Sequence, residues 1–291
     1  MTLVRALRVQ QWPKNLLVFV PLVAAHRVGD STAVLASAIA FLAFCLVASA
    51  IYVANDLIDL EADRLHPKKR LRPFAARELS VSWGMVLCPV LLAAGIGVAT
   101  LAGTGLTAIV AGYALVGALY SAVLKRVVVV DIFVIAAFYS ARILGGAAAI
   151  DVVVSDWLFA FSMFIFVSLA LAKRYAELRR VAAGQGDGAR RLPGRGYRAE
   201  DALGVGILGT VSGCLSVVVL AFYITSGEVT VLYSQPKVLW ICAFLVFYWV
   251  ARAWLLAFRG DLDEDPLSFA LHDPASYLVG ALTLAVVFLA T

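Results

Sequence analysis

The chain has 291 residues, of which 63% are apolar and 15% are charged, and its formal net charge is +5 at pH 7. An average soluble domain has roughly 25% charged residues, so a soluble protein of this length could not bury so much apolar surface. The composition therefore excludes an ordinary soluble enzyme and indicates that a lipid bilayer surrounds most of the chain. Because the apolar runs continue over about 18 to 25 residues, they predict an all-α, multi-pass membrane fold.

Taken in chain order, the sequence opens with an amphipathic stretch and continues with apolar runs. Residues 1–13 are predicted to form an interfacial helix, with Arg5, Arg8 and Trp12 at the level of the lipid headgroups. Nine membrane-spanning helices are predicted to follow, within a single transmembrane domain over residues 1–291. Their expected bounds are 14–28, 33–55, 81–101, 104–122, 128–149, 157–175, 203–225, 236–257 and 275–290.

The basic residues fall almost entirely into one alternating set of loops, which includes residues 56–80 and 174–202. The other set of loops contains only two basic residues, Arg27 and Lys237. Since loops rich in Lys and Arg stay in the cytoplasm, the N-terminus and both basic loops are predicted to be cytoplasmic. The protein is thus expected in the plasma or inner membrane, with its active site facing the cytoplasm. Binding of anionic lipid headgroups explains part of this basic charge.

An acidic stretch closes the second predicted span, with the pattern Asn55-Asp56-x-x-Asp59-x-x-x-Asp63. The spacing i, i+4, i+8 places Asn55, Asp59 and Asp63 on one face of a helix. Stacked oxygen ligands suit Mg²⁺, which usually takes one or two carboxylates and completes its shell with substrate phosphates and water. A solvated helix end is the weaker interpretation, because bare carboxylates are costly inside an apolar span. These three residues are therefore the predicted Mg²⁺ ligands and catalytic residues, with Asp56 as a supporting or added ligand.

A basic run from Arg64 to Arg72 follows the acidic stretch directly. Carboxylates that bind a metal and cations that bind phosphate oxygens occur together when the ligand is a metal-bound diphosphate. Arg70 and Arg72 are candidate phosphate ligands because the planar guanidinium group matches the geometry of phosphate. Lys68 and Lys69 are explained equally well as anchors for lipid headgroups.

The acidic pattern resembles the first aspartate motif of the UbiA superfamily of intramembrane prenyltransferases, and the resemblance covers essentially the whole chain. It implies nine membrane helices around a central cavity and a diphosphate substrate held through Mg²⁺. The second aspartate motif of that superfamily is missing, because the chain after the sixth span reads Ala172-Lys173-Arg174-Tyr175-Ala176-Glu177-Leu178. Cations at this position resemble the branch that contains decaprenyl-phosphate phosphoribosyltransferases. Further segments similar to that branch are Gln11–Asn15, Glu61–Arg70, Arg72-Pro73, Tyr120 with Leu124-Lys125, Ala141–Gly146 and Ala270–Asp273.

This resemblance implies transfer of 5-phosphoribose from 5-phosphoribosyl 1-diphosphate to a decaprenyl-like polyprenyl phosphate. Pyrophosphate is the implied leaving group, and a cell-envelope arabinan precursor is the implied use of the product. The implied partners are the two substrates and the lipid bilayer, without nucleic acid, and a homo-oligomer is left open. The residues expected to contact substrate are Lys14, Asp56, Arg70, Arg72, Tyr120, Lys125, Arg142, Lys173, Arg174, Tyr175 and Asp273.

Two charged residues of the fifth span have two interpretations each. Arg142 is expected deep in the membrane, where an unpaired charge is costly, so it should face a polar cavity or a carboxylate. Functional and structural roles are equally supported for this arginine. Asp131 is either a charge at the start of that helix or a cavity residue. The acidic residues 261–266 are predicted to form a solvated turn, and the four cysteines indicate neither a zinc site nor disulfides.

Two other functions fit part of the sequence. A prenyltransferase that joins a prenyl diphosphate to an aromatic acceptor would share the first motif and the fold, but the missing second motif argues against it. A non-enzymatic carrier of lipid phosphates would explain the basic loops. It would not explain the acidic motif, and the sequence lacks a clear pair of broken helices in matching halves.

Overall fold

The computed structural model describes residues 2–66, 68–183, 191–192, 194–262, 269–270 and 273–291. Within these ranges the chain is almost entirely helical, and its one extended pairing is an isolated bridge between Arg191 and Arg198. The predicted all-α class is therefore confirmed for the described part of the chain.

Twelve α-helices are distinguished in the described ranges. In chain order they are α1 (Thr2–Ala6), α2 (Val20–Ala24), α3 (Ser31–Ile58), α4 (Leu60–Leu65), α5 (Val81–Thr100), α6 (Thr104–Ala122), α7 (Val130–Ala149), α8 (Asp156–Ala182), α9 (Ala202–Thr225), α10 (Gly227–Leu232), α11 (Trp240–Arg259) and α12 (Pro274–Ala290). Five 3₁₀ helices lie between them, at Val9–Phe19, Lys69–Leu71, Leu124–Arg126, Ala199–Asp201 and Pro236–Leu239.

Seven helical segments of the described chain are long and apolar enough to cross a membrane. They are α3, α5, α6, α7, α8, Ala199–Thr225 and Pro236–Arg259. Helix α12 is also apolar, but its 17 residues span only about 25 Å at 1.5 Å per residue. The predicted multi-pass organisation is thus supported, whereas the predicted count of nine spans is not confirmed.

Side chains that cap the helix N-termini explain where several of the long helices begin. Asp30 accepts hydrogen bonds from the backbone N–H groups of Thr32 and Ala33, and Ser80 and Ser155 cap α5 and α8 in the same way. Such side chains satisfy N–H groups that the first helical turn leaves without a partner. Hydrogen bonds from the Thr32 and Arg27 side chains also hold the pKa of Asp30 well below its ordinary value.

The first 13 residues do not form the predicted interfacial helix. Helix α1 ends at Ala6, and Arg8 adopts a left-handed backbone conformation with φ 51°, after which a 3₁₀ helix begins at Val9. A non-glycine residue rarely adopts such a φ unless the surrounding contacts hold it there. The chain therefore turns at Arg8 instead of continuing as one amphipathic helix.

The predicted span 14–28 is also wrong as a continuous α-helix. The 3₁₀ helix Val9–Phe19 contains Pro13, and α2 then continues for only five residues. Proline removes a backbone donor and disfavours a continuous α-helix at this point. The segment is packed closely by protein, since a methyl group added at Gly146 would lie 2.0 Å from the carbonyl oxygen of Val18. Irregular backbone at membrane depth is tolerated where protein covers it in this way.

The chain divides into two compact units. Unit 1 contains Met1–Leu124 and Ala141–Val154, and unit 2 contains Lys125–Ser140 and Ser155–Thr291. In unit 1, α3 packs against α5 and α6, and in unit 2, α8 and α11 pack against α9. A single transmembrane domain over the whole chain stays a prediction.

Candidate functional site

The acidic motif, which comprises Asn55, Asp56, Asp59 and Asp63, lies in unit 1 where α3 gives way to α4. Helix α3 ends at Ile58, and Asp59 forms the junction between the two helices. The Asp59 N–H still donates to the Asn55 carbonyl at 2.9 Å, and the Asp63 N–H donates to the Asp59 carbonyl at 2.8 Å. The i, i+4 register of the three predicted ligands is therefore retained across the junction. Asp56, Asp59 and Asp63 thus lie on two helices and their junction, inside the range 56–80 that was predicted to be a loop.

Two carboxylates of the motif are deeply buried and are bound by arginines. Asp56 and Asp63 are each 2% exposed. Arg72 Nη1 lies 2.5 Å from Asp63 Oδ2 and 3.2 Å from Asp56 Oδ1, so one nitrogen atom bridges both carboxylates. Arg8 also pairs with Asp56 Oδ1, and its guanidinium carbon lies 4.8 Å from the centroid of the Tyr52 ring. We call Arg8, Asp56, Asp63 and Arg72 the Asp56 cluster.

The donor atoms of the motif suit a hard divalent cation. Asp56 Oδ2 is buried and has no hydrogen-bond partner among the described residues. Asn55 and Asp59 are half-buried and carry further oxygens. No group of three or more His, Cys, Asp or Glu residues in the described ranges could hold a metal ion by itself. A metal at the motif would therefore need an amide oxygen or substrate oxygens as well, which is the usual situation for Mg²⁺. The role of these residues as ligands stays a prediction.

Arg8 is a member of the cluster that sequence reasoning missed. Its guanidinium group binds Asp56 instead of lipid headgroups, and its side chain is only 20% exposed. Arg5, three residues earlier, is more exposed and binds Glu78 and the Leu71 carbonyl. No local pattern distinguishes Arg8 from Arg5, because the partner of Arg8 lies 48 residues away in the sequence. Of the two predicted phosphate ligands in this segment, Arg72 joins the cluster and Arg70 lies exposed in the 3₁₀ helix Lys69–Leu71.

Arg142 is buried in unit 1, on α7, among neutral polar groups. Its Nε donates to Asn15 Oδ1 at 2.6 Å and its Nη2 to the Tyr113 hydroxyl at 2.8 Å. Asn15 in turn donates to the sulfur of Cys45. Arg142 thus ties the 3₁₀ helix Val9–Phe19 to α6 and α7, which gives it a structural role. Lys14, next to Asn15, is also buried, and its contact with phosphate stays a prediction.

Unit 2 contains a second group of buried charges, which includes Arg174 from the segment 172–178, where the second aspartate motif is missing. Asp131 and Arg174 are both 0% exposed, and Arg174 Nη2 lies 2.6 Å from Asp131 Oδ2. Arg195 reaches the same oxygen at 3.2 Å, the Tyr197 hydroxyl donates to Asp131 Oδ1 at 2.7 Å, and Arg174 also pairs with Glu177. We call these five residues the Asp131 network. Asp131 therefore lies in the first turn of α7, as one of its two interpretations predicted, and its partnership with Arg174 is an additional finding.

The Tyr197 hydroxyl also stabilises an unusual backbone conformation at the start of α7. It accepts a hydrogen bond of 2.8 Å from the N–H of Val129, whose φ is 69°. A β-branched residue in the left-handed region is a strained feature that needs support from its surroundings. Burial and the hydrogen bond to Asp131 raise the pKa of Tyr197 above its ordinary value, so the hydroxyl keeps its proton.

The side chains of the consecutive residues Lys173, Arg174 and Tyr175 extend in different directions. They lie within α8, which continues to Ala182 through the predicted loop 174–202, and successive side chains on a helix diverge by about 100°. The Tyr175 ring is buried and lies 5.1 Å from the Phe258 ring. Contact of Arg174 or Tyr175 with substrate stays a prediction. It would require the ion pairs of Arg174 or the ring contact of Tyr175 to break. Lys173 is half-buried and is the member of the three that packing leaves most accessible.

The remaining predicted contacts lie near the ends of helices. Asp273 accepts hydrogen bonds from the N–H and hydroxyl of Ser276 and forms a two-point ion pair with Arg252, at 2.7 and 2.9 Å. Burial opposes ionisation, but the hydrogen bonds from Arg252 and Ser276 lower the pKa of Asp273. Arg252 is a basic residue in an apolar helix, a signal that sequence reasoning left unused.

Tyr120 and Lys125 are half-buried, the first at the end of α6 and the second in the 3₁₀ helix that follows. Tyr120 belongs to unit 1 and Lys125 to unit 2, and the contact of each with substrate stays a prediction. His272 and most of the acidic residues 261–266 lie outside the described residues, as do residues 184–190 of the second basic loop.

Comparison with known proteins relates this chain to one family of membrane enzymes. The sequence model of the UbiA prenyltransferase family matches residues 16–273. The nodulation protein NoeC of Azorhizobium caulinodans is 40% identical over 99% of this chain and 93% of its own length. Protein y4nM of Sinorhizobium fredii is 42% identical over 95% of this chain, but the match spans only 53% of y4nM.

A named enzyme is also similar over part of the chain. Decaprenyl-phosphate phosphoribosyltransferase of Corynebacterium glutamicum is 37% identical over 60% of this chain and 54% of its own length. Among solved structures, a UbiA homolog from Archaeoglobus fulgidus bound to DMAPP and Mg²⁺ has a TM-score of 0.74 at 16% identity. That comparison covers 100% of this chain and 99% of the other, and it establishes a shared fold.

Proposed function

The chain belongs to the UbiA prenyltransferase family, and from this premise we propose that it transfers 5-phosphoribose to a polyprenyl phosphate in the membrane. The donor is 5-phosphoribosyl 1-diphosphate. The bond between ribose C1 and the diphosphate oxygen breaks, and a new bond forms between C1 and a phosphate oxygen of the lipid. Pyrophosphate leaves with the electron pair of the broken bond. A use of the product in cell-envelope arabinan synthesis is part of the proposal.

The observation that carries this proposal is the contrast between the two acidic positions of the family. The first position keeps Asn55, Asp59 and Asp63 in register beside arginines, which suits a diphosphate held through a metal. At the second position, Lys173 and Arg174 stand where the family has carboxylates, and Arg174 is paired with Asp131 and Glu177. Cations at the second position, such as Lys173, suit a donor that carries a 5-phosphate in addition to its diphosphate, which a prenyl diphosphate lacks. The 37% identity to a phosphoribosyltransferase of the same type supports this choice of donor.

The proposed transfer requires only that the protein stabilise charge and position the two substrates. Positive charge develops on the ribose ring as the diphosphate departs, and Arg70 and Arg72, the predicted phosphate ligands, stabilise the negative charge on the leaving group. When bound, Mg²⁺ supplies additional stabilisation of that charge as a Lewis acid. The attacking phosphate oxygen is already ionised near neutral pH, so no general base is needed. Lys173 is a candidate contact for the phosphate of the ribose or of the acceptor.

The test is a transfer assay on membranes that contain the full chain. Donor labelled in the ribose and a polyprenyl phosphate are supplied with Mg²⁺, and the lipid extract is analysed for labelled lipid phosphate. We expect labelled lipid with the wild type and a loss of at least about 100-fold with Asp59→Asn. Glu61→Gln is the matched control, because Glu61 is an exposed carboxylate in the same stretch, and it should behave like the wild type. Absence of labelled lipid from the wild type would reject the proposal.

A second candidate is transfer of a prenyl group to an aromatic acceptor. It is favoured by the family itself and by the fold shared with a homolog bound to DMAPP and Mg²⁺. The same membranes, supplied with a labelled prenyl diphosphate and an aromatic acid, distinguish the two. A labelled aromatic product without labelled lipid phosphate would favour this candidate. A lipid-phosphate carrier would instead move lipid phosphate in both the wild type and Asp59→Asn.

A further inference from the structure

The position of Arg72 indicates how the metal and the diphosphate enter the Asp56 cluster. Arg72 Nη1 lies between Asp63 Oδ2 and Asp56 Oδ1, at 2.5 and 3.2 Å. A cation bound between these carboxylates would take the place of Arg72 as their counter-charge. The arginine therefore occupies the space between Asp56 and Asp63 that such a cation would need.

The charges of the cluster lead to the same conclusion. Two carboxylates and two guanidinium groups neutralise each other, and both carboxylates are almost fully buried. A divalent cation added to this balanced group, together with the neighbouring carboxylate of Asp59, would leave one net positive charge in a poorly solvated place, which is unfavourable. A diphosphate supplies the missing negative charge, and arginine binds phosphate oxygens well in the geometry of its planar fork.

The two arginines differ in how many carboxylates they bind. Arg8 lies two residues after α1, sits over the Tyr52 ring and binds only the Asp56 carboxylate of the cluster. Arg72 follows the short 3₁₀ helix Lys69–Leu71, bridges both carboxylates and is 27% exposed, so its head can reach a ligand that arrives from the solvent. Movement of Arg72 would therefore open the space between both carboxylates, whereas Arg8 would stay on Asp56.

We propose that Arg72 makes this site specific for a metal–diphosphate pair, because it occupies the carboxylates until the diphosphate draws it away. Metal alone binds weakly, diphosphate alone binds weakly, and each strengthens the binding of the other. This inference rests on the proposed function of the acidic motif. It goes beyond that function in two ways. It states that the site accepts the donor as a metal–diphosphate pair, and it identifies Arg72 as the residue that selects this form.

The wild-type protein tests the proposal directly. The full chain, purified in detergent, is titrated with Mn²⁺ and followed by the electron paramagnetic resonance signal of the free ion, with and without pyrophosphate. Free Mn²⁺ is calculated after correction for its complex with pyrophosphate. We expect Mn²⁺ to bind at least about 10-fold more tightly when pyrophosphate is present. The affinity of pyrophosphate should rise by the same factor when Mn²⁺ is present, as linkage requires.

Variants identify the residue responsible. Arg72→Gln should bind Mn²⁺ alone several-fold more tightly than the wild type, with a smaller gain from pyrophosphate. Arg72→Lys keeps the charge and should keep part of the coupling. Lys69→Gln removes one charge from the same 3₁₀ helix, and Lys69 forms no ion pair with either buried carboxylate, so it should retain the wild-type coupling. Thermal unfolding confirms that each variant is folded, and the wild-type titration decides the question if Arg72→Gln does not fold.

The outcomes separate this inference from the proposed function. Mn²⁺ that binds the wild type equally well with and without pyrophosphate would overturn the role of Arg72 and leave the metal site intact. Unchanged coupling in Arg72→Gln would also overturn it. A protein that binds no Mn²⁺ under either condition would reject both the inference and the proposed function.

Discussion

The Asp56 cluster of unit 1 and the Asp131 network of unit 2 are built from the same charges, two carboxylates and two arginines each. They differ in how completely the charges are satisfied. Both oxygens of Asp131 have partners, whereas Asp56 Oδ2 has none among the described residues. The main arginine of the network, Arg174, is fully buried, but Arg8 and Arg72 remain partly exposed. Equal charges thus give a buried ion pair with both oxygens of Asp131 bonded in unit 2, and a buried oxygen of Asp56 without a described partner in unit 1.

The largest effect that this comparison predicts is on stability, in the Asp131 network. Asp131→Asn would leave the buried guanidinium of Arg174 without its main counter-charge, and such losses cost about 3–5 kcal/mol. We expect a large fall in the thermal unfolding temperature of the detergent-purified protein. Asp261→Asn, which changes an exposed carboxylate of the same unit, is the control and should leave the temperature unchanged. Equal unfolding temperatures for the two variants would show that the network does not stabilise unit 2.

The next effect is on activity, in the Asp56 cluster. Asp63→Asn keeps the size of the side chain but removes a charge from the acidic motif, and we expect transfer to fall by about 100-fold or more. Its unfolding temperature should fall less than that of Asp131→Asn, because Arg72 remains partly solvated. Labelled lipid product and thermal unfolding are measured on the same preparations. A loss of stability as large as that of Asp131→Asn, with activity retained, would show that the Asp56 cluster is a structural group like the Asp131 network.

A smaller effect is expected from the hydroxyl that connects the network to α7. Tyr197→Phe removes the hydrogen bonds to Asp131 and to the Val129 N–H, at a cost of about 1–3 kcal/mol. Thermal unfolding measures this loss, and Tyr248→Phe at an exposed position is the matched control. Similar unfolding temperatures for Tyr197→Phe and the control would mean that the strained Val129 needs no support from Tyr197.

The smallest effect is a pH dependence at the start of α12. The pKa of Asp273 is lowered below its ordinary value near 3.8, so its contribution to stability is complete above that pH. The contribution is lost as the pH falls through the lowered pKa and the carboxylate takes up a proton. Unfolding temperatures measured between pH 6 and pH 3 should therefore fall more for the wild type than for Asp273→Asn. Parallel curves would exclude a stabilising role for the ionised carboxylate.

Local sequence patterns predicted much of this molecule. The long apolar runs predicted α3, α5, α6 and α7 nearly within their observed bounds, because hydrophobic length and helix caps are local properties. The i, i+4, i+8 spacing of the acidic motif was equally visible, since it depends only on helical geometry. The first predicted span could not be recognised as a 3₁₀ helix, because Pro13 leaves both an α-helix and a 3₁₀ helix possible.

Partnerships between distant residues could not be predicted. The sequence places Arg174 among cations that replace a metal site, but its role depends on Asp131, 43 residues earlier. Arg8 has the same kind of dependence on Asp56. Arg142 was expected to face a polar cavity or a carboxylate, but the sequence could not identify Asn15 and Tyr113 as its hydrogen-bond partners. In each case the tertiary fold, and not the residue type, decides whether a charge is structural or open to a ligand.

The most direct test of the central claim is a competition between donors at the acidic motif. Purified protein in liposomes receives 5-phosphoribosyl 1-diphosphate and a prenyl diphosphate together, with polyprenyl phosphate, an aromatic acid and Mg²⁺, and the products are identified by mass spectrometry. We expect a phosphoribosylated lipid phosphate from the wild type and from Glu61→Gln, and none above background from Asp63→Asn. A prenylated aromatic acid as the main product, or an undiminished yield from Asp63→Asn, would contradict it.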